Sequence, residues 1–349
     1  MSRILIVAYP PLPEGENSVL GGEDVVRSLT RELRLRGHHV DVASCPGGGG
    51  ALNAPGSVPE CACQNACLRQ TDHDRQVLEA CAAQRYHAVL DHSGHFFRHA
   101  AEVDGFVLAT LHLPRAAYPA EAFRNPAPNV YFICVSESQR EEFRDLPRLM
   151  PVIHNGVELR RLEMGRRRAG YVLWLGRVSR QKAPHLAIDA AEKAGLPLLL
   201  AGQLGTSAED KAYWQNEVLP RVDHDRVRWA EWPSFEDRVS YLRESRALLV
   251  TSQEPEVSAL MALEAMACGT PVVSFPAGAM REVVTPETGF LVNGVEEMAA
   301  ACHNLRNIRA LDCRVRVHEH YSITAMAEAY EVLMQELEEQ KQRIERLEE

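Results

Sequence analysis

Short runs of β-branched and other apolar residues alternate with helix-like patterns along the whole chain. Such alternation predicts parallel sheets whose strands are joined by helices. Five runs in the first half are predicted as strands: residues 4–8, 40–44, 88–91, 107–111 and 131–135. Six runs in the second half repeat the pattern: residues 171–175, 196–201, 227–229, 247–251, 272–275 and 290–292. The sequence therefore predicts an α/β protein.

A glycine pair lies between the first two predicted strands. Gly21 and Gly22 precede apolar residues that recur with helical spacing, and Gly37 ends that pattern. This gives the order strand, glycine loop, helix and strand. A parallel sheet is built from such units.

Two segments interrupt the alternation. Residues 46–59 contain four consecutive glycines and little apolar material, which predicts a surface loop. Residues 158–170 are rich in arginine and lack apolar periodicity, so we interpret them as a linker between two domains. A length of 349 residues also favours two domains over one.

The charge balance limits the classes of partner. A formal net charge of −10 argues against general nucleic-acid binding, because a phosphate backbone favours a basic surface. No apolar run approaches the roughly 18 residues that cross a bilayer, and no basic amphipathic helix predicts attachment to a membrane. The first residues enter a strand pattern without a secretory signal, so we expect a cytoplasmic protein. The sequence leaves the oligomeric state open.

The cysteines do not predict a disulfide framework. The chain has nine, an odd count, and several lie in apolar segments where a reduced thiol packs as a small apolar side chain. Cys61, Cys63 and Cys67 are close enough in sequence to suggest a zinc or redox site, although their spacing is not that of a standard zinc finger. Whether they bind a metal stays open.

A basic loop follows the first predicted strand of the second half. Arg177 and Lys182 are five residues apart, between that strand and a helix that begins near Pro184. Two such cations can converge on one anion, because arginine offers a planar fork to two oxygens and lysine a mobile point charge. A diphosphate needs such partners. The alternative is an ordinary basic loop.

Two glutamates flank a predicted helix start further along the chain. Glu256 and Glu264 are eight residues apart. If Ser258 caps the helix, the free N–H groups of Ser258, Ala259 and Leu260 form an anion site. One carboxylate then lies in the loop before the helix and the other in its second turn. The alternative is a helix with incidental glutamates.

These features together resemble glycosyltransferase family four, a group of retaining enzymes with the GT-B fold. The resemblance covers nearly the whole chain and is carried by five runs: Gly21-Gly22, Val135-Ser136-Glu137-Ser138, Val152-Ile153-His154-Asn155-Gly156-Val157, Gly176-Arg177 with Lys182, and Glu256 to Glu264 continued by Ala-Met-Ala-Cys-Gly-Thr-Pro. It implies two Rossmann-like domains that face a central cleft. Residues 1–158 would form the acceptor-side domain and residues 159–320 the nucleotide-sugar domain, with helix 321–349 crossing back to the first.

The resemblance also implies roles for the residues of the second domain. Arg177 and Lys182 would bind the donor diphosphate and offset the charge on the leaving group. Glu264 would hold the ribose hydroxyls, and Glu256 would contact the transferred sugar. The helix start at Ser258 would bind the phosphates with its N–H groups.

Two further sites come from the first domain. Gly21 and Gly22, which lack a Cβ, would let the backbone approach the phosphates. His112, after a predicted strand, matches the position where the family places a histidine near the sugar. A structural histidine is the alternative there.

The chain departs from the family pattern in the predicted donor loops. Ala183 and Ala259 stand where the family usually has glycine. Glu254 opens a Glu-Pro pair that resembles the family's usual opening, but we prefer Glu256 because its spacing to the second glutamate is right. These departures leave the shape of the sugar pocket open.

No metal is expected in the reaction. Residues 72–74 and 223–225 are both Asp-His-Asp, which matches the motif by which another glycosyltransferase fold binds a metal. Neither follows a convincing strand. In a GT-B site, cationic side chains and a helix dipole take the metal's place, so we expect neither a metal nor another cofactor.

We therefore expect a hexosyltransferase that uses a nucleotide-diphosphate sugar, with UDP as the guess, and acts on a small-molecule hydroxyl. The arginines of the linker leave a lipid acceptor open. Residues 114–128, with Tyr118 and Phe123, are the candidate wall of the acceptor site. The alternatives are a nucleotide-sugar epimerase or hydrolase of the same fold, and a non-catalytic nucleotide-sugar-binding protein.

Overall fold

The protein is described here from a computed structural model covering residues 1–8, 22–43, 66–165, 170–231 and 233–348. The chain forms two compact units, Met1–Gly156 with Ile323–Glu349, and Val157–Ser322. Each unit is an α/β Rossmann-like domain built on one parallel sheet, as the sequence predicts.

The first unit contains a five-stranded sheet in its described residues, in the order β2-β1-β3-β4-β5. Its strands are β1 (Arg3–Val7), β2 (His39–Ala43), β3 (Ala88–Asp91), β4 (Phe106–Leu111) and β5 (Val130–Cys134). Among the described residues, the helices that precede the second unit are α1 (Gly22–Leu35), α2 (Ala66–Ala83) and α3 (Glu137–Glu142). Short 3₁₀ turns cover Phe96–Glu102, Arg115–Ala117 and Ala120–Phe123.

The last helix of the chain, Ile323–Glu348, packs within this first unit. Arg36 forms ion pairs with Glu328 at 3.3 Å and with Glu331 at 2.7 Å. Tyr330 is buried, and its hydroxyl lies 2.6 Å from the hydroxyl of Thr110 on β4. Ion pairs just after α1 and a buried tyrosine against β4 therefore attach this helix to the first unit.

The second unit contains a six-stranded sheet in the order β11-β10-β9-β6-β7-β8 among its described residues. Its strands are β6 (Val172–Val178), β7 (Leu198–Leu204), β8 (Val227–Glu231), β9 (Leu248–Val250), β10 (Val272–Ser274) and β11 (Gly289–Leu291). Its helices are α4 (Pro184–Lys193), α5 (Ala208–Tyr213), α6 (Phe235–Glu244), α7 (Leu260–Ala267), α8 (Met280–Val283), α9 (Val295–His303) and α10 (Ala310–His320).

Strand β6 shows why these apolar runs form a central strand. Leu173 and Leu175 pack into one core, while Val172 and Trp174 pack into the core on the opposite face. Successive side chains of a strand point to opposite faces, so a strand covered on both sides needs an uninterrupted apolar run. The expected linker also contributes here, because Leu162 is buried in the first of these cores.

The strand order places a topological switch between β6 and β9. From β6 the chain moves outward to β7 and β8, and then returns to β9 on the other side of β6. In open α/β sheets, ligands bind beyond the carboxyl ends of the strands at such a switch. The loops that leave β6 and β9 are therefore the expected binding region of this unit.

Candidate active site

Hydrogen bonds join the loops that leave β6 and β9. The backbone N–H of Gln253 donates to the carbonyl of Gln181 at 2.7 Å. The hydroxyl of Thr251 lies 2.9 Å from the carbonyl oxygens of both Lys182 and Ala183. The two loops therefore form one binding surface, as the switch point predicts.

An ion pair connects the predicted diphosphate ligand to the predicted sugar contact. Nζ of Lys182 lies 2.5 Å from Oε1 of Glu256. The hydroxyl of Ser252 also donates to this oxygen. The sequence predicted both charged groups for one site but did not predict that they contact each other.

The absence of a Cβ at Gly278 allows the backbone of Glu256 to pack closely against it. Gly278 has a φ of +57°, and a Cβ there would lie 2.4 Å from the carbonyl oxygen of Glu256. That same carbonyl accepts the N–H of Ala279 at 2.8 Å. A side chain at Gly278 would displace the strand-like segment that carries Glu256.

The start of α7 differs from the prediction. Ser258 does not cap this helix; Ala259 is the capping residue, with φ +51° and ψ +32°, and no side chain caps the helix. Its carbonyl accepts the N–H groups of Ala262 and Leu263 at 2.9 and 3.1 Å. The prediction was wrong because a left-handed residue, rather than a serine hydroxyl, turns the chain into the helix.

The expected anion site at this helix start does not depend on the serine. The N–H groups of Ser258, Ala259 and Leu260 donate to no acceptor in the part of the chain that the structure describes. Unpaired N–H groups at a helix start attract anions through their hydrogens and through the helix dipole. They can therefore donate to phosphate oxygens.

A buried ion pair orients Glu264 in the second turn of α7. Nε of Arg238 lies 3.0 Å from Oε2 of Glu264, and Nη2 lies 3.3 Å from Oε1. The two side chains are only 9% and 12% exposed. Nη2 donates a hydrogen bond to Oε1, whereas the Nε–Oε2 contact is an ion pair without hydrogen-bond geometry. Arg238 therefore holds the carboxylate at two points and leaves lone pairs for hydroxyl ligands. No sequence motif marked Arg238, because its role depends on the packing of α6 against α7.

Arg177, near the end of β6, is exposed and forms no ion pair with any residue in the described ranges. An open groove of about 630 Å³ is lined by Ser252, Gln253 and Pro255, from the same loop as Glu256. Gly278 and Arg281 line its other side. The groove borders the loop that carries Glu256, but Arg177, Lys182 and Glu256 do not line it.

In the first unit, His112 contacts a second histidine. His92 and His112 directly follow the neighbouring strands β3 and β4, and His92 Nδ1 lies 2.8 Å from His112 Nε2. Burial lowers the pKa of His112 to about 4 and that of His92 well below its ordinary value, so both rings are neutral at pH 7. His92 was not predicted, although it directly follows a predicted strand just as His112 does.

The remaining predictions for the first unit concern the acceptor wall, the glycine pair and the cysteines. Tyr118 and Phe123 do not form an acceptor wall, because both are buried in the core, where Phe123 packs against Phe97 and Phe132. Gly22 is the first residue of α1. The remaining predicted positions, Gly21, Cys61 and Cys63 and the side chain of Cys67, lie outside the described residues.

The two Asp-His-Asp triplets have different surroundings. Asp223 Oδ1 accepts the backbone N–H groups of Asp225, Arg226 and Val227 at 2.8–3.0 Å, so it stabilises the turn before β8. Residues 72–74 lie in α2, where His73 and Asp74 are buried. Neither triplet is part of the donor loops of the second unit.

Within the described residues, no helix combines the length and the apolar character needed to cross a membrane.

Family models match both halves of the chain. Residues 19–161 match the model described as Glycosyltransferase Family 4, and residues 169–307 match the one described as Glycosyl transferases group 1. These matches confirm the resemblance found in the sequence.

Curated relatives agree with the family models. D-inositol 3-phosphate glycosyltransferase from Mycobacteroides abscessus is 30% identical over 162 residues, which cover 42% of this chain and 36% of that protein. The enzyme of the same name from Mycobacterium tuberculosis is 32% identical over 168 residues, which cover 43% of this chain and 34% of that protein. The match thus spans about a third of these relatives' length.

Solved structures support the fold. AviGT4, a glycosyltransferase involved in avilamycin A biosynthesis, has a TM-score of 0.72 at 20% identity, covering 97% of this chain and 98% of that one. Sucrose-phosphate synthase from Thermosynechococcus elongatus has a TM-score of 0.72 at 19% identity, covering 97% and 99%. Anabaena HepE, solved with UDP and glucose, has a TM-score of 0.71 at 14% identity, covering 96% and 100%.

Proposed function

Since the chain belongs to the glycosyltransferases that these two family models describe, we propose that it transfers a sugar from a nucleotide-diphosphate donor to an acceptor hydroxyl. The observation that carries the proposal is the convergence of Lys182, Glu256 and the free N–H groups of the α7 start at the switch point of the second sheet. This arrangement provides cationic and N–H donors for a diphosphate and a carboxylate for sugar hydroxyls.

The leaving diphosphate is the group that most needs stabilisation. When the bond to the sugar breaks, negative charge grows on the phosphate oxygens, and fixed donors aimed at them lower the barrier. Arg177 is unpaired among the described residues, and Lys182 exchanges Glu256 for the diphosphate. The N–H groups of Ser258, Ala259 and Leu260 donate to the same oxygens.

Glu264 is proposed to hold the ribose hydroxyls, with its carboxylate fixed by Arg238. Glu256, released from Lys182, would then accept hydrogen bonds from the transferred sugar. The role of His112 near that sugar stays a prediction. Its neutral ring can accept or donate one hydrogen bond but does not carry charge at pH 7.

UDP is our proposed nucleotide, supported by the fold likeness to HepE, whose structures contain UDP, UDP and glucose, or UDP-glucose. A small polyol or sugar is our proposed acceptor, supported by the name of the curated relatives. We propose that the acceptor attacks the face from which the diphosphate leaves, which gives retention. A cytoplasmic location also stays a prediction.

We further propose that transfer needs no metal. The cations and N–H groups of the second unit supply the charge stabilisation that a metal ion provides in other enzymes. The donor-loop carboxylates Glu256 and Glu264 each contact a cation already, Lys182 and Arg238 respectively.

A donor and acceptor screen tests this function. The protein is incubated with UDP-glucose and other nucleotide sugars, inositol phosphates and monosaccharides, with EDTA throughout, and products are identified by mass spectrometry. We expect a glycosylated acceptor in the presence of EDTA. Free sugar or an epimerised donor without acceptor would instead indicate the hydrolase or epimerase alternative. Binding without turnover of any pair would indicate a nucleotide-sugar-binding protein.

A further inference from the structure

A second cluster of chemically active side chains lies in the first unit, apart from the donor loops. His73 and Asp74 belong to α2, and His95 lies in the turn after β3. One nitrogen or oxygen from each residue lies within 4.8 Å of the others. His73 is 1% exposed and Asp74 6%, and the side chain of His95 is 11% exposed.

A capped turn holds His95 in place. The carboxylate of Asp91, at the end of β3, accepts the N–H of Ser93 at 2.8 Å and the N–H of Phe97 at 2.7 Å. The Ser93 hydroxyl donates to the same carboxylate at 2.5 Å and accepts the N–H of Phe96 at 3.1 Å. Buried hydrogen bonds therefore fix the backbone on both sides of His95.

The orientation of the His95 ring determines whether Nε2 carries a hydrogen or a free lone pair. Nδ1 lies 3.2 Å from the carbonyl oxygen of Ser93, which can only accept, so Nδ1 carries the hydrogen. In the neutral ring, Nε2 then presents a lone pair to Oδ1 of Asp74, 3.0 Å away. Two lone pairs at this distance repel each other unless a cation lies between them.

Several buried polar atoms of the cluster form no hydrogen bond of good geometry. The pair Nε2 of His95 and Oδ1 of Asp74 lacks hydrogen-bond geometry, and neither atom has another hydrogen-bond partner among the described residues. Neither ring nitrogen of His73 forms a hydrogen bond of good geometry, although the ring lies close to the backbone of Ala43. Burying a polar atom without a partner is costly, so such a group of atoms is typical of a ligand-binding site.

We propose that His73, Asp74 and His95 bind a divalent transition-metal ion, with Zn²⁺ as the ion that fits best. Two imidazoles and one carboxylate are ligands that zinc prefers, at about 2.0–2.2 Å. Small side-chain rotations bring atoms this close together onto one ion. The Nδ1–H of His95 bonded to a backbone carbonyl is also the arrangement that orients metal-binding histidines. His99 Nε2, 3.4 Å from Oδ2 of Asp74, supports the second oxygen.

The ion would have a structural role. It joins α2 to the turn after β3, and that turn also carries His92, the partner of His112. The site shares no residue with the donor loops of the second unit. Its existence therefore does not depend on the proposed transferase activity, and metal removal tests the two proposals separately.

A proton on Nε2 of His95 is the competing account. Burial alone would lower the pKa of His95, but the contact with Asp74 and the charge of Asp91 raise it from its ordinary value. A charged His95 would satisfy Asp74 without a metal. It would leave the ring of His73 with no partner beyond the backbone of Ala43 among the described residues, whereas a metal ion would bind one of its nitrogens.

The test measures metal content and stability of tag-free protein. We expect about one Zn²⁺ per chain after equilibrium dialysis against micromolar Zn²⁺, and a rise in Tm of about 5–10 °C at a free Zn²⁺ concentration about 100 times the Kd. The Co²⁺ form should lack the near-ultraviolet charge-transfer band that thiolate ligands produce. No bound Zn²⁺ in the folded wild-type protein, or a thiolate band, overturns the proposal.

Variants assign the ligands. His73→Asn and Asp74→Asn should each lower bound Zn²⁺ at least tenfold and abolish the rise in Tm, with circular dichroism confirming that they fold. His303→Asn, at an exposed histidine of α9, and the triple variant Cys61→Ser, Cys63→Ser, Cys67→Ser should bind as wild type. Unchanged Zn²⁺ in both ligand variants, or its loss in the triple variant, contradicts the site.

Discussion

Nζ of Lys182 lies 2.5 Å from Oε1 of Glu256, and the hydroxyl of Ser252 donates to the same oxygen. The cation that we assign to the donor diphosphate is therefore held by the carboxylate that we assign to the sugar. A diphosphate carries more charge than one carboxylate and competes for Lys182. Donor binding would then release Glu256 at the place where the sugar arrives.

This relationship predicts that Glu256→Gln separates binding from turnover. The affinity for nucleoside diphosphate should rise about threefold to tenfold, because Lys182 loses its competing carboxylate. The transfer rate should fall at least tenfold, because the sugar loses a charged hydrogen-bond partner. Calorimetry and initial rates measure the two effects.

Glu254→Gln, at an exposed residue two positions earlier, is the matched control. It should change neither quantity. The opposite pattern, with Glu254 essential and Glu256 dispensable, would show that the alternative register of the motif is the right one.

The pair Arg238 and Glu264 predicts a stability effect together with a binding effect. Arg238→Met leaves a buried carboxylate without its partner, so the free energy of unfolding should fall by about 2–4 kcal/mol. Nucleoside-diphosphate affinity should fall about tenfold, as in Glu264→Ala, because the carboxylate loses its orientation. Chemical denaturation and calorimetry measure both.

Arg243→Met provides the control on the same helix. Arg243 pairs with Glu163 at 3.2 Å on the exposed surface, where an ion pair contributes little. The change should stay below about 0.5 kcal/mol. An equally small effect of Arg238→Met would contradict a positioning role for that residue.

Ala183 and Ala259 stand where the resemblance leads us to expect glycine, and both have positive φ, +46° and +51°. The left-handed conformation costs a Cβ-bearing residue about 1–2 kcal/mol, while glycine loses about 0.5–1 kcal/mol in chain entropy. Ala183→Gly and Ala259→Gly should therefore stabilise the protein by up to about 1 kcal/mol. Ala187→Gly, inside α4, should destabilise it by about 1 kcal/mol. Equal losses in all three would show that the alanine methyl groups matter more than backbone strain.

The histidine pair predicts acid sensitivity. The folded-state pKa of His112 is about 4, below the ordinary value of 6.5, so the unfolded chain binds a proton in this range while the folded protein does not. Stability should fall as the pH drops from about 6.5 to 4, by up to about 3 kcal/mol from this group. Urea unfolding of wild type and His112→Gln across this range checks it. Parallel pH curves for the two proteins would contradict the lowered pKa.

The fold was predictable because it depends on local patterns. The run at 171–175 overlaps the first four residues of β6, and its uninterrupted apolar character reflects burial on both faces. The basic loop was also predictable, because parallel strands bring their carboxyl ends to one edge of the sheet. The helix cap was not, since Ser258 satisfies the usual preference and yet the left-handed Ala259 takes the capping position.

Contacts between segments that are far apart along the chain could not be predicted from the sequence. Arg238 and Glu264 are 26 residues apart on different helices, and no spacing rule links them. His73 and Asp74 were visible only as part of a triplet that follows no strand. Their proximity to His95 arises from the packing of α2 beside the turn after β3.

The most direct test of the proposed chemistry is the transfer rate of three single variants at the end of β6 and in the loop that follows it, measured with EDTA present. Arg177→Ala and Lys182→Ala should each lower the rate by about a hundredfold or more, because each removes one charge from the leaving diphosphate. Arg180→Ala removes an equal charge from the same loop, but Arg180 is exposed and pairs with Glu217, so its rate should stay within about twofold of wild type. Wild-type rates in both Arg177→Ala and Lys182→Ala would contradict the account.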